Sequence, residues 1–99
     1  MDNLDWAGID VGSEQLAVTL ARQGKLSRRS FPNTPLGHEG ICHFLTRPGR
    51  LTRVCMEATG GYGLDLALAL SRCGSIEVMV ANPRTVRRFA EALAERNKT

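Results

Sequence analysis

Two acids stand where a carboxylate is costly. Asp10 lies near the end of the β-favouring run Ala7-Gly8-Ile9-Asp10-Val11, and Glu57 closes the segment Leu51 to Glu57. Taking either charge out of water without a partner costs several kcal/mol, and a hard divalent cation is the simplest partner. Mg²⁺, with Mn²⁺ as a substitute, takes one or two carboxylates and keeps its other positions for water and phosphate oxygens. Asp10 and Glu57 are therefore the candidate metal ligands and catalytic residues of a phosphoryl-transfer site. The structural alternative is that Asp10 caps the turn beginning at Gly12 and that Glu57 pairs with Arg53.

Other residues carry weaker signals. Gly60-Gly61 ahead of a helix can present backbone N–H groups to a phosphate, although a turn needs glycine there anyway. Arg84, Arg87 and Arg88 form a basic face at helical spacing, suited to nucleic-acid phosphates. Glu91 can pair with either of the last two, which would make them solvated surface charges. His38 and His43, five apart, do not share a helical face and make a poor metal site with Cys42. Cys42, Cys55 and Cys73 are odd in number and set in apolar segments, so they read as reduced core fillers. Trp6 and Tyr62 read as packing residues.

The elements that must position these residues follow from periodicity. The run from Trp6 to Ala21 favours β structure, is broken by Gly12-Ser13, and puts Leu16, Val18 and Leu20 on one face. Arg22-Gln23-Gly24-Lys25 supplies a tight turn into a third strand, Leu26 to Phe31, whose Arg28 and Arg29 mark a sheet edge. Thr34-Pro35 starts a helix that Gly37 and Gly40 weaken and Arg47-Pro48-Gly49 ends. Leu51 to Glu57 is a fourth strand. A helix from about Tyr62 to Cys73, apolar all round, is expected to lie buried against a sheet face. Gly74 stops it, Ile76 to Ala81 is a fifth strand, and Asn82-Pro83 caps an amphipathic last helix. The order β-β-β-α-β-α-β-α predicts an α/β fold with a five-stranded mixed sheet and helices on its faces. In such a sheet ligands collect where connections leave in opposite directions, here between the first and fourth strands.

Composition is that of one ordinary globular domain: 99 residues, 42% hydrophobic and 23% charged, with a formal charge of +3 that permits a phosphate-bearing partner without requiring one. No run approaches the length of a membrane span, and Met1 to Trp6 lacks the features of a secretory leader, so a cytoplasmic protein with no membrane partner is expected. The last helical pattern runs to Thr99 without a closing glycine, so the chain is expected to be the front part of something longer.

Trp6-Ala7-Gly8-Ile9-Asp10-Val11-Gly12, together with Met56-Glu57-Ala58-Thr59-Gly60-Gly61-Tyr62, resembles the DEDD transposases of the IS110 group of insertion sequences, relatives of the Piv DNA invertases. The resemblance continues through Ala81-Asn82-Pro83 and the closing Arg96-Asn97-Lys98-Thr99. It implies a catalytic domain similar to the RuvC resolvase, with the ribonuclease H-like fold. It also implies Mg²⁺-dependent DNA cleavage and strand transfer, with DNA and a structured guide RNA as partners and a homo-oligomer for the full-length protein. Of the family's four acids the first two map onto Asp10 and Glu57. The other two, and the C-terminal domain with its serine nucleophile, have no counterpart here. Residues 1–99 are thus expected to be the N-terminal part of such a domain, truncated at its C-terminal end and inactive alone.

Two rivals are carried. Gly8-Ile9-Asp10-Val11-Gly12-Ser13 ahead of a hairpin also resembles the phosphate loop of an actin-like ATPase or sugar-kinase lobe, in which the Glu57 to Tyr62 segment has no place. The second is a non-catalytic, truncated remnant that binds nucleic acid. If the basic face contacts phosphates, replacing Arg84, Arg87 and Arg88 with Gln in the full-length protein will weaken nucleic-acid binding. The slope of log affinity against log salt will flatten by roughly 0.9 per lost contact, and a salt titration measures both.

Overall fold

The computed structural model describes residues 3–57, 61–81 and 91–92. Seven elements follow one another: β1 (Leu4–Val11), β2 (Gln15–Arg22), β3 (Lys25–Pro32), α1 (Pro35–Leu45), β4 (Leu51–Glu57), α2 (Leu64–Ser71) and β5 (Ile76–Ala81). They form one sheet in the order β3-β2-β1-β4-β5. The meander β1-β2-β3 is antiparallel, whereas β4 lies parallel to β1 and β5 parallel to β4. The basic strand β3 is an edge, as its charges predict. Residues 91–92 are helical; the rest of the expected last helix, with Arg84, Arg87 and Arg88, lies outside the described residues.

Local chemistry explains most of this. In the hairpin between β2 and β3, Gln23 and Gly24 have φ of 50° and 80°, the pair of left-handed residues that a two-residue turn needs to match strand twist. The period-two pattern of β2 puts Leu16, Val18 and Leu20 on the face that carries Ala7 and Ile9 of β1 and Val54 and Met56 of β4. Ile41 and Leu45 of α1, and Leu66 and Leu70 of α2, complete this core.

Helix α1 begins as its sequence predicts, with the Thr34 hydroxyl accepting from the Gly37 N–H at 3.1 Å and proline in the first turn. The glycine that weakens it locally has a tertiary reason. A Cβ on Gly37 would sit 1.8 Å from the Pro32 carbonyl oxygen, so only glycine lets α1 lie this close to the end of β3.

The expectation for the second helix needs correction. It is shorter than Tyr62 to Cys73, because Arg72 and Cys73 donate to Ala69 and Leu70 in a tightened final turn. Nor is it buried all round. Leu66 and Leu70, four apart, face the core, while Leu64 and Leu68 are 62% and 49% exposed. The period-two leucine run divides into two stripes one helical turn long, and only the inner stripe meets the sheet.

A buried carboxylate holds the opposite end of the sheet from Asp10. Asp5 has no exposed surface, and Arg22 of β2 donates to it at 2.6 Å while Arg50, just before β4, donates through Nη2 at 2.6 Å. Arg22 also donates to the Leu45 carbonyl at 2.7 Å, and the Thr52 hydroxyl donates to the same carbonyl at 2.9 Å. Burial pushes the Asp5 pKa up, but hydrogen bonds and charge from Arg50 and Arg22 outweigh it and hold the carboxyl below its usual range. This contribution to stability is complete above the ordinary carboxylate value near 3.8, and is lost as pH falls through the lowered folded value. Asp5→Asn, which leaves two guanidinium groups without their counter-charge, should cost about 3–5 kcal/mol in urea denaturation at neutral pH and abolish that acid-limb dependence.

Candidate active site

Asp10 lies at the C-terminal end of β1, one residue beyond Ile9, which pairs with Met56 of β4. Glu57 follows Met56 at the end of β4, its backbone in register with Ala81 of β5. Asp10 and Glu57 therefore stand on adjacent parallel strands. From these ends the chain leaves in opposite directions, β1 into its hairpin with β2 and β4 across to β5, so the expected switch point is where the sheet puts it. The Asp10 side chain is exposed and shares a sheet face with Trp6 and Gly8, away from the core. No described residue bonds its carboxylate, and the Gly12 N–H of the following turn donates to the Gln15 carbonyl at 2.9 Å rather than to Asp10. The side chain of Glu57, and Gly60 altogether, lie outside the described ones; Gly61 is exposed. Arg53 donates to Glu77 at 2.9 Å and lies 5.5 Å from the centre of the Trp6 ring, so it has a partner on β5.

Sequence reasoning passed over the residue that joins the turns following the two acid-bearing strands. Asn33, between β3 and α1, donates its amide N–H groups to the Gly12 carbonyl at 2.8 Å and to the Tyr62 carbonyl at 3.0 Å. Its backbone N–H donates to Glu14 at 2.8 Å. One side chain thus pins the turn two residues after Asp10 to the turn five residues after Glu57. The signal available in the sequence was weak: an asparagine before Thr34-Pro35 reads as turn chemistry, and nothing local names its distant carbonyls.

His38 completes the network. It is buried, and its Nε2 lies 2.7 Å from Asn33 Oδ1. Because the Asn33 nitrogen is committed to two carbonyls, Oδ1 must accept, which places the ring proton on Nε2. Burial pushes the His38 pKa down, and the charge of Asp65 offsets only part of this. His38 is therefore a neutral clamp. His43 is exposed, and among the described residues no three His, Cys, Asp or Glu side chains converge as metal ligands. Tyr62 is 60% exposed and contributes its carbonyl rather than a packed ring, a correction to its reading as a packing residue. Of the strand-three arginines, Arg29 lies against Phe31 and Phe44, with its guanidinium 5.1 and 5.8 Å from the ring centres, while Arg28 is exposed.

A family model described as "Transposase", that of the DEDD transposases of IS110 elements, matches residues 7–99. The chain belongs to this family. Among solved structures it is similar to T. thermophilus RuvC in complex with Holliday junction substrate, with a TM-score of 0.60 and 17% identity over 86% of this chain and 68% of that one. This likeness establishes the RuvC-like, ribonuclease H-like fold. An Aquifex aeolicus PPX-GPPA enzyme also matches, at 17% identity over 78% of this chain and 36% of that one, but its TM-score of 0.31 is too low to bear on the fold. No curated protein matches the sequence. The chain is a transposase/recombinase catalytic domain, and the family match leaves the ATPase and sugar-kinase reading without support. None of the described helices is long and apolar enough to cross a membrane.

The neutral His38 gives this transposase domain a measurable pH dependence. Its folded pKa lies below the ordinary value of 6.5, so the unfolded chain takes up the proton first. The stabilisation is complete above about pH 6.5 and declines as pH falls toward the depressed folded value. His38→Gln keeps a neutral N–H donor, and thermal melts between pH 7 and 5 should lose that part of the slope in the variant.

Proposed function

We propose that Asp10 and Glu57 are the first two acids of the catalytic set, acting on DNA phosphodiesters in insertion-sequence transposition. One observation carries the reading: an exposed carboxylate without a described partner stands near the end of β1, beside the strand whose last residue is Glu57, at the point where the sheet's connections diverge. Residues with a structural task in this chain look different, as Asp5 with its two arginines demonstrates.

The donor chemistry fits a divalent cation of the Mg²⁺ or Mn²⁺ type, since both side chains offer hard oxygen ligands and Asp10 keeps room for water and phosphate oxygens. Such an ion, when bound, would polarise the phosphodiester and favour ionisation of the attacking hydroxyl. The chain's own contribution is placement. Asp10 is fixed at the end of a strand paired on both sides, and Asn33 keeps the turn after it at a set distance from the turn beyond Glu57. Two carboxylates make an incomplete set, so residues 1–99 are read as the N-terminal part of the catalytic domain.

DNA is the proposed substrate, with a guide RNA and homo-oligomeric assembly belonging to the complete protein as the family likeness implies. Arg84, Arg87, Arg88, Gly60 and Gly61 are the proposed nucleic-acid contacts, and exposed Arg28 on the edge strand is a further backbone contact.

In the full-length protein, Asp10→Asn and Glu57→Gln should each nearly abolish metal-dependent DNA cleavage and leave the fold intact. Melting of the metal-free protein should stay unchanged or rise, because neutralising one of two adjacent carboxylates relieves their repulsion. A lower melting temperature, with cleavage surviving in proportion to folded protein, would instead assign both acids a structural role.

A further inference from the structure

Between them, α1 and α2 form an open groove of about 540 Å³, lined by His38, Glu39, Cys42, Asp65, Arg72 and Cys73 among others. Two of these side chains are thiols, both only half-buried. The Cys73 thiol donates to Cys42 Sγ at 2.8 Å, across 31 positions of sequence. The sequence reading of all three cysteines as core fillers holds for Cys55, which is buried in β4. It holds in part for the other two, which are free, half-buried and packed against the core, and which also meet each other. Cys42 lies on the side of α1 that meets α2, and the tight final turn of α2 brings Cys73 back across the groove.

We infer that Cys42 and Cys73 form a reversible disulfide by exchange with a small disulfide such as oxidised glutathione. A disulfide bond is about 2.05 Å long, so the sulfurs need to move by less than about 1 Å. The groove admits the reagent, and the two sulfurs already share a wall.

The exchange has a defined order. Burial pushes the Cys42 thiol up to about 12, with the Cys73 sulfur and Glu39 adding to the effect, so Cys73 makes the first attack. Its thiolate displaces one glutathione thiolate and leaves a Cys73–glutathione disulfide. Cys42 then loses its proton to the departing thiolate, attacks Cys73 Sγ and expels the second glutathione. Two protein S–H bonds become one S–S bond, and one glutathione disulfide becomes two thiols. The product staples α1 to the end of α2 and closes a long loop of the unfolded chain, the condition in which a cross-link stabilises most.

The test uses the full chain, reduced and then equilibrated with oxidised glutathione, its remaining thiols alkylated before intact-mass and peptide analysis. The expected product has lost the mass of two hydrogen atoms, yields Cys42 and Cys73 peptides joined to each other, and carries its alkyl group on Cys55. It should melt higher than the reduced chain by roughly 5–15 °C. Cys42→Ser should stop the reaction at the Cys73–glutathione adduct, while Cys55→Ser should leave it unchanged. Alkylation of both Cys42 and Cys73 at equilibrium, a stable glutathione adduct on the unmutated chain, or a cross-link through Cys55 would each overturn the inference. So would a Cys42–Cys73 bond that does not raise the melting temperature, since native geometry would then not be its source.

Discussion

The buried Asp5 carboxylate sets the alignment on which the acidic end of the sheet depends. Arg22 reaches it from β2 and Arg50 from the approach to β4, so the central strand is tied to both neighbours at one end. A strand slipped by one residue would send each side chain to the opposite face. It would also take the charge of Asp5 away from its arginines, which makes that register expensive to leave. With this end fixed, Asp10, five residues along β1, emerges on the face away from the core beside the end of β4.

The other end is held by polar contacts that are lighter and more open. Asn33 bridges the turns after β1 and β4 through three short hydrogen bonds, and neutral His38 fixes the orientation of its amide. The placement of Asn33 in turn depends on α1 lying close to β3, which Gly37 permits and the Thr34 cap directs. The apolar core under α1 therefore acts at a distance from its own atoms: Ile41 and Leu45 anchor the helix whose first turn carries His38 into the network.

Helix α2 shows how one layer of packing serves two purposes. Its inner leucines complete the core, and its tightened last turn returns Cys73 to the flank of α1. The same short helix leaves an outer apolar stripe at Leu64 and Leu68, an arrangement that an eight-residue helix resting on one sheet face cannot avoid.

The sequence alone determined the element order through β5, the tight turn at Gln23-Gly24, the Thr34-Pro35 helix start and the edge character of the strand with Arg28 and Arg29, and it singled out Asp10 and Glu57 as a candidate pair. Each rests on neighbours within a few residues, where dihedral preference, capping and period-two burial operate. Family likeness in the same short segments added the transposase reading. Only tertiary structure decided the tasks of residues whose partners are far away in the chain. Asp5 and Arg50 are 45 apart, Asn33 and Tyr62 are 29 apart, and Cys42 and Cys73 are 31 apart. It also decided that Gly37 is required by a carbonyl of the preceding strand, and that half of an apolar helix stays in water. A local pattern states what a residue prefers, but a hydrogen bond, a close approach or a thiol pair exists only once the sheet has brought two distant segments to the same place.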